Sequence, residues 1–400
     1  MKMRKILLAS FLVFSFACGQ KENPKVEPID YLKLHYDAIV ADTHNDVLLR
    51  AMEGEDITVE TNRGHSDLVR LKKGGVDIQV FAVWVDPVAF EKNSFKRANQ
   101  MIDTLYSIVK RNQDKIAIVT KSSEIESALK EGKICAVIGV EGGHAIENSI
   151  EKLEELYRRG VRYLGLTWNN SVDWASSAFD ETTNPEKLKV KGLSEFGRKV
   201  VQKMNELGMI VDVSHLGEQA FWDVIRTTKK PVIASHSSVY KLCPHYRNLK
   251  DEQIKAIAQT GGVVFVNFYA EYIDSTFGTK RKQIEEKYKA KFDSIRILYE
   301  HDQRAYSEAR RQLMRKVSEE LRPPLDLLID HIDYIAKLVG VDHVGIGSDF
   351  DGISITPLEM DDVTFLPNIT RELLKRGYSV EDIKKILGGN FLRVFKEVCG

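Results

Sequence analysis

Eight short apolar runs, each followed by a helix-like interval, predict an α/β fold of the (β/α)8 type, a TIM-type barrel. Short apolar runs separated by crossovers of about a dozen residues or more are typical of buried parallel strands. The predicted strands span residues 38–41, 78–85, 134–140, 162–166, 209–213, 232–234, 262–267 and 343–347. A doubly wound sheet is the alternative. The barrel is favoured because polar residues gather at the ends of these runs, where barrel enzymes place their active sites.

The fifth and sixth predicted strands carry the clearest functional signal. The run at 209–213 ends just before His215, and the run at 232–234 ends just before His236, each histidine being preceded by a serine. Because the carboxyl ends of parallel strands lie at one edge, both imidazoles should face one cleft. A single histidine at a strand end is more often structural, but two in equivalent positions indicate a functional site.

The first and third predicted strands add oxygen and nitrogen ligands. His44 and Asp46 lie two residues apart at a strand end, so their side chains can point to the same side and bind one metal. Glu141 precedes two glycines that let the backbone turn and leave the carboxylate at the rim. Taken alone, Glu141 is equally typical of a helix N-terminus. Together with the histidines, these groups fit two zinc ions with Glu141 as the bridge.

Three further residues are candidates for substrate contact or catalysis. Asp349 lies nearest the end of the eighth strand and should face the metals, whereas Asp351 precedes a glycine and should shape the turn. Arg247 follows the sixth strand, and beside a metal site its planar fork suits a substrate carboxylate. Trp168 follows the fourth strand and either donates its indole N–H to the substrate or only walls the pocket.

Composition limits the classes of partner. The 400-residue chain has 58 basic and 58 acidic side chains and is 43% apolar, which is ordinary for a globular protein. A neutral chain offers no electrostatic attraction to nucleic acid, so we expect no nucleic-acid partner.

The N-terminal residues predict export. Residues 1–18 combine basic residues, an apolar run at 6–17 and Cys18, the layout of a signal peptide of the bacterial lipoprotein type with Cys18 as the lipidated residue. The apolar run is shorter than the ~20 residues that span a bilayer. We expect an exported protein, anchored by lipid at the membrane and facing the periplasm or cell exterior, with plain secretion as the alternative.

The remaining chain divides into two parts. Residues 19–30 form a polar tether, and residues 31–400 form the barrel domain. Between the seventh and eighth strands, a charged and helix-prone segment at about 280–322 is inserted. Its composition favours a solvated helical hairpin over the barrel rim rather than an arm that binds a partner.

Six motifs in chain order resemble the membrane dipeptidase, or renal dipeptidase, family of zinc metallopeptidases. They are DTHND at 42–46, VEGGH at 140–144, DVSH at 212–215, ASHSS at 234–238, RN at 247–248 and GIGSDFDG at 345–352. The resemblance covers residues 31–400. It implies a (β/α)8 barrel, usually a homodimer, that hydrolyses dipeptides through a hydroxide bridging two zinc ions and tolerates a D-residue at the carboxyl end.

The resemblance also implies roles for individual residues. The implied metal ligands are His44 and Asp46 for one zinc, His215 and His236 for the other, and Glu141 for both. Asp349 matches the catalytic acid beside the bridging water, and Arg247 matches the arginine that contacts substrate. Trp168 departs from the animal pattern, which has a histidine there, although some bacterial relatives share the Leu-Thr-Trp-Asn sequence. This departure affects the expected range of substrates.

Two other functions stay open at this point. The first is a different barrel amidohydrolase acting on a cyclic amide or related small molecule. Such enzymes typically begin with His-x-His and often use a modified lysine as bridge, whereas this chain has His-x-Asp and a glutamate. The second is a lipoprotein that binds peptides without cleaving them, which the complete set of ligands argues against.

Overall fold

A computed structural model describes residues 29–400 of the chain. The predicted signal peptide, Cys18 and all but the last two residues of the predicted tether lie outside the described residues. Between residues 29 and 400, no helix has both the length and the apolar character required to cross a bilayer.

The described residues contain one parallel sheet of nine strands. They are β1 Val40–Asn45, β2 Val76–Trp84, β3 Ile116–Ile118, β4 Ile134–Glu141, β5 Val161–Gly165, β6 Ile210–Asp212, β7 Val232–Ala234, β8 Val263–Val266 and β9 Val344–Ile346. Eight of them follow one another around the barrel in the order β1-β2-β4-β5-β6-β7-β8-β9. The predicted (β/α)8 barrel is therefore confirmed.

The barrel closes between the end of β1 and the residues that follow β9. Asn45 pairs with Phe350 in a parallel bridge, and the backbone N–H of Asp46 donates to the carbonyl of Phe350 at 2.9 Å. The N–H of Asp349 donates to the carbonyl of His44 at 3.1 Å. Closure thus brings the DTHND and GIGSDFDG motifs side by side.

Two predicted strand assignments need correction. Strand β3 was missed because three residues are too few to show a periodic pattern. It pairs only with the first residues of β4, and from Ile138 onwards β4 pairs with β5 instead. The first strand was predicted at 38–41 but runs from Val40 to Asn45, with every residue buried. Its polar residues at 42–45 concealed it, because polar side chains in a buried strand are unusual unless they form a site.

Seventeen α-helices are present within residues 29–400. They are α1 Tyr31–Asp37, α2 Val47–Met52, α3 Leu68–Lys73, α4 Ser94–Arg111, α5 Ser122–Lys130, α6 Ile150–Arg158, α7 Ala178–Thr183, α8 Glu195–Leu207, α9 Glu218–Thr227, α10 Asp251–Gln259, α11 Ala270–Ile273, α12 Phe277–Leu298, α13 Gln303–Leu321, α14 Leu325–Val339, α15 Pro367–Lys375, α16 Val380–Lys384 and α17 Asn390–Cys399. A π-helical turn at Lys385–Gly389 joins α16 to α17.

Helix α8 shows how local sequence specifies these elements. Ser194 caps its N-terminus by accepting a hydrogen bond from the N–H of Gly197, and Gly208 ends it with a left-handed backbone at φ 78°. Val200 and Met204 lie four residues apart on its buried face. The helix therefore packs on the barrel and returns the chain directly to β6.

The amino-terminal end of the barrel is filled by apolar side chains. Phe391 and Phe395 of α17 belong to the same buried cluster as Val80, Ile233 and Phe265 from the strands. This end is a packed core, so polar chemistry is confined to the opposite, carboxyl end of the strands.

The predicted insertion between the seventh and eighth barrel strands is a helical hairpin formed by α12 and α13. Its buried residues form a cluster with the loops after β8 and β9, comprising Ala270, Phe277, Ile284, Tyr288, Leu313, Val317, Leu321 and Ile355. Arg322, at its end, donates to the carbonyls of Thr356 and Pro357 at 3.1 and 2.6 Å. The hairpin is thus fastened to the rim of the barrel.

Candidate metal centre

The five predicted ligands lie together at the carboxyl end of the barrel. His44 is in β1 and Asp46 follows it, Glu141 is the last residue of β4, and His215 and His236 follow β6 and β7. All five are buried. Residues far apart in the chain are brought together because parallel strands end at the same rim.

Glu141 stands between two groups of ligands. Its Oε2 lies 3.4 Å from Nε2 of His44, which is itself 3.4 Å from Oδ2 of Asp46. Its Oε1 lies 2.9 Å from Nε2 of His215 and 3.4 Å from Nε2 of His236. One carboxylate oxygen therefore faces each group, which is the arrangement that a bridging ligand requires.

His215 and His236 are held with their Nε2 atoms facing each other at 2.9 Å. Nδ1 of His215 lies 3.0 Å from the carbonyl oxygen Oδ1 of Asn169, an acceptor. Nδ1 of His236 lies 2.8 Å from Oγ of Ser235, which donates its own proton to Asp212 at 2.6 Å. Both Nδ1 atoms must therefore carry the proton, so both Nε2 atoms present lone pairs.

His44 is oriented in the same way by a different partner. Its Nδ1 lies 2.9 Å from the hydroxyl of Tyr163, and that hydroxyl donates to the carbonyl of Thr43 at 3.2 Å. Nε2 of His44 is buried and has no hydrogen-bond partner among the described residues. Three ring nitrogens and two carboxylates thus converge, and cations, whether protons or metal ions, compensate such a set of donors.

The backbone around the centre leaves space for ions. A Cβ atom added at Gly352 would lie 2.5 Å from Oδ1 of Asp349 and closer still to Oδ2 of Asp46, so only glycine keeps these carboxylates clear. Single ligand atoms of His44, Asp46 and Asp349 lie within 4.8 Å of one another. The residues present therefore fit a pair of divalent cations, with nitrogen and oxygen donors of the kind that zinc accepts.

The charge state of the ligands agrees with metal binding. Burial, reinforced by the positive charge of Arg247, lowers the pKa of His215 to about 4. Burial, reinforced by the charges of His44 and Arg247, lowers the pKa of His236 well below its usual value. Burial opposes ionisation of Glu141, but the positive charge of His44 outweighs burial and holds the pKa of Glu141 well below its usual range. His215 and His236 are therefore neutral and Glu141 is charged, as ligands must be. At His44, burial is outweighed by Tyr163, Glu141 and Asp46, which raise its pKa well above its usual value, so a metal ion would displace a proton from this ring.

Asp349 differs from the other carboxyl groups. Burial and the negative charges of Asp46 and Glu141 raise its pKa to about 8, although His44 acts in the opposite direction. Cations at the centre would lower this pKa by offsetting the neighbouring negative charge. A carboxyl group whose pKa responds in this way to the charge of the centre is suited to moving protons.

Sequence reasoning missed the residue that holds Asp349. Nδ2 of Asn267 donates to Oδ2 of Asp349 at 2.9 Å, while Oδ1 of Asn267 accepts from the N–H of Tyr269 at 2.6 Å. Asn267 is the first residue after β8. The sequence feature that could have identified it is the one that identified the ligands, a polar side chain at a strand end.

Two site residues have left-handed backbones. His215 has φ 64° and Asp349 has φ 62°, a conformation that non-glycine residues rarely adopt. The carbonyl of His215 is held by the N–H of Ala178 at 2.8 Å and by the hydroxyl of Thr167 at 3.2 Å. Surrounding contacts therefore impose these conformations, as is common at functional sites.

Asp351 has the structural environment expected of a turn residue. Its backbone is left-handed at φ 67°, and its carboxylate accepts from Arg50 at 3.0 Å, from the hydroxyl of Ser66 at 2.7 Å and from the N–H of His65 at 2.8 Å. These partners fix the loop that carries Asp349 and Gly352.

A pocket of about 400 Å³ opens above the ligands. Its floor is polar, and its walls are apolar and largely aromatic, comprising Leu49, Trp84, Trp168, Tyr269, Tyr272 and Ile353. Trp168 packs edge-on against Trp84 at 5.0 Å between ring centroids and lies 6.4 Å from His215. Trp168 and Asp349 therefore line the same pocket.

Arg247 is a buried residue rather than a surface charge. It is 3% exposed, donates to the carbonyl of His236 at 3.0 Å and to Oγ of Ser237 at 3.3 Å, and lies over the ring of Tyr272. Within residues 29–400 its Nε has no hydrogen-bond partner. It lines a second pocket, of about 480 Å³, that meets the first at His215.

Comparison with known proteins identifies similar sequences along nearly the whole chain. The family model described as membrane dipeptidase (Peptidase family M19) matches residues 30–399. The dipeptidase verJ of Clonostachys rogersoniana is 32% identical over 383 residues, which cover 92% of this chain and 86% of verJ.

Solved structures are similar over the same length. The probable dipeptidase PvdM from Pseudomonas aeruginosa has a TM-score of 0.77 and 27% identity, covering 92% of this chain and 97% of its own. A metallopeptidase from Rhodobacter sphaeroides, bound to a phosphinate mimic of the dipeptide L-Ala-D-Ala, has a TM-score of 0.73 and 25% identity, covering 90% of this chain and 100% of its own.

Proposed function

We infer that this chain, which belongs to the membrane dipeptidase family (Peptidase family M19) of metallo-dipeptidases, hydrolyses free dipeptides with two zinc ions. Family membership confirms the resemblance read from the six motifs. The observation that carries the proposal for two ions is the position of Glu141, which directs one oxygen towards His44 and the other towards His215 and His236.

The five ligands divide into two halves that share Glu141. His44 and Asp46 would hold one zinc, and His215 and His236 the other. When bound, zinc would lower the pKa of a water to about 7, supplying hydroxide at neutral pH, and would polarise the scissile carbonyl.

Asp349 is the residue that we assign to proton transfer. It lies beside Asp46 and is held by Asn267, so it can take a proton from the attacking water and deliver it to the leaving amine. Glu141 supports the same step by fixing the ligands around it.

The two pockets suit a zwitterion with its charges at opposite ends. The first contains Asp46 and Asp349, which can accept hydrogen bonds from a substrate amine, and the second contains Arg247, whose charge suits a carboxylate. A free dipeptide has both groups next to its single peptide bond, whereas a longer peptide lacks one of them near the scissile bond. The ligand of the Rhodobacter sphaeroides relative supports acceptance of a D-residue at the carboxyl end.

The test is turnover by purified protein reloaded with zinc. Free L,L and L,D dipeptides should be hydrolysed, and a cyclic dipeptide, which joins the same two residues through two amide bonds and has no free termini, should not. Turnover of the cyclic compound alone would favour the amidohydrolase alternative. Binding of dipeptides without any turnover would favour a peptide-binding lipoprotein.

Localisation and assembly are further parts of this proposal. Export with a lipid on Cys18 would hold the enzyme at the membrane, facing the periplasm or cell exterior. A homodimer is expected from the family, and light scattering of the purified chain tests it directly.

A further inference from the structure

A tyrosine lies inside the barrel, directly behind the first metal ligand. Tyr163 belongs to β5, is 1% exposed, and its hydroxyl lies 2.9 Å from Nδ1 of His44 and 3.2 Å from the carbonyl of Thr43. It therefore crosses the interior from β5 to β1 and ends in a polar contact within an apolar cluster.

The sheet makes room for this ring with a glycine. Gly139 of β4 is the register partner of Tyr163, and a Cβ atom there would lie 2.5 Å from two ring carbons of Tyr163 and closer still to Cζ. Packing accounts for a large planar ring at this place. It does not account for the hydroxyl, because phenylalanine has almost the same shape.

The hydroxyl has one proton, and its two neighbours decide where that proton goes. The carbonyl of Thr43 can only accept, so the tyrosine donates to it and accepts the proton on Nδ1 of His44. Nε2 of His44, which faces Asp46 and Glu141, is then the ring nitrogen that a metal can bind.

Without the hydroxyl, a proton on Nδ1 would be buried with no acceptor, which is costly. The imidazole would then favour the other tautomer, with its proton on Nε2 between the two carboxylates. That proton occupies the position from which His44 would bind a metal, so a proton and a metal compete for the same atom.

We propose that Tyr163 is a positioning residue that keeps His44 in its metal-binding tautomer and thereby sets the affinity of the His44 half of the centre. The inference rests on the proposed two-metal function. It applies to one half only, because His215 and His236 are oriented by Asn169 and Ser235 instead.

The test is a zinc titration of the full chain by competition with a chromophoric chelator. Tyr163→Phe should weaken one of the two binding steps by about 10- to 100-fold, the usual effect of losing a partner of a ligating histidine, and leave the other step unchanged. In a His44→Ala background, Tyr163→Phe should have no effect on the zinc that remains.

Two controls separate this role from a general loss of stability. Tyr378→Phe likewise removes a tyrosine hydroxyl, one that donates to the carboxylate of Asp333 at 2.7 Å and lies away from the metal ligands. It should leave both binding steps unchanged. Asn169→Ala should weaken the step that Tyr163→Phe leaves intact. If Tyr163→Phe weakens both steps equally, or neither, the proposal is wrong.

A measurement on the unaltered protein covers the case in which the variant does not fold. In ¹⁵N NMR of the zinc-loaded chain, His44 should show a slowly exchanging proton on Nδ1 and zinc on Nε2. Coordination of zinc through Nδ1 would overturn the role of Tyr163. If the unaltered protein bound no zinc at all, the two-metal function itself would fail.

Discussion

Replacing Gly352 by alanine is a small change with a large expected effect at the metal centre. The added methyl would lie 2.5 Å from Oδ1 of Asp349 and closer to Oδ2 of Asp46, whereas ordinary contact begins at 3.4 Å. One or both carboxylates must therefore move by about 1 Å. Displacements of this size cost about 10²-fold in rate, and disturbed ligands lose about 10- to 100-fold in metal affinity.

The assay compares zinc affinity, kcat/KM for a free dipeptide and the free energy of unfolding of the metal-free protein. Gly352→Ala should lower the first two by these factors, while overpacking should cost only about 1–3 kcal/mol of stability. Gly278→Ala is the matched control, since a Cβ atom there meets nothing within 4 Å and α12 gains a better helix former. Wild-type zinc affinity and kcat/KM in Gly352→Ala would refute the placement of the ions beside Asp46 and Asp349.

Three other predictions concern catalysis, substrate selection and anchoring. Asp349→Asn should lower kcat by about 10²- to 10⁴-fold with zinc retained, whereas Trp168→Phe should change KM and the choice of dipeptide. If both variants lost kcat equally on every dipeptide tested, this division of roles would be wrong. Arg247→Ala should reduce the preference for free dipeptides over dipeptide amides, and an unchanged preference would assign carboxylate binding to another residue. Wild-type protein should fractionate with membranes and Cys18→Ala should not, so identical fractionation of both would exclude lipidation at Cys18.

The ligands were predictable because a parallel barrel converts a simple sequence pattern into a spatial one. Each of His215, His236 and Glu141 follows an apolar run, and the ends of such runs meet at one rim. The same rule would have included Asn267, which follows β8 directly. Its amide is less distinctive than an imidazole or a carboxylate, so only the contact with Asp349 reveals it.

Other features depend on partners that sequence patterns do not specify. Tyr163 lies within an apolar run and has the character of a core residue, and its hydroxyl contacts His44, 119 positions away in the chain. Strand β3 is only three residues long, and its pairing with β4 is tertiary rather than local. The burial of Arg247 follows from the fold of its loop, because a charged residue on a loop is exposed in most proteins.

The most direct test of the central claim is the number of zinc ions bound by variants of the bridging residue. Elemental analysis at a free zinc concentration that saturates the wild-type protein should give two ions per chain, and Asp46→Ala should give one. Glu141→Gln should give close to none, because Oε1 and Oε2 of Glu141 serve both halves of the centre. A full equivalent of tightly bound zinc in Glu141→Gln would show that the two halves do not share this residue.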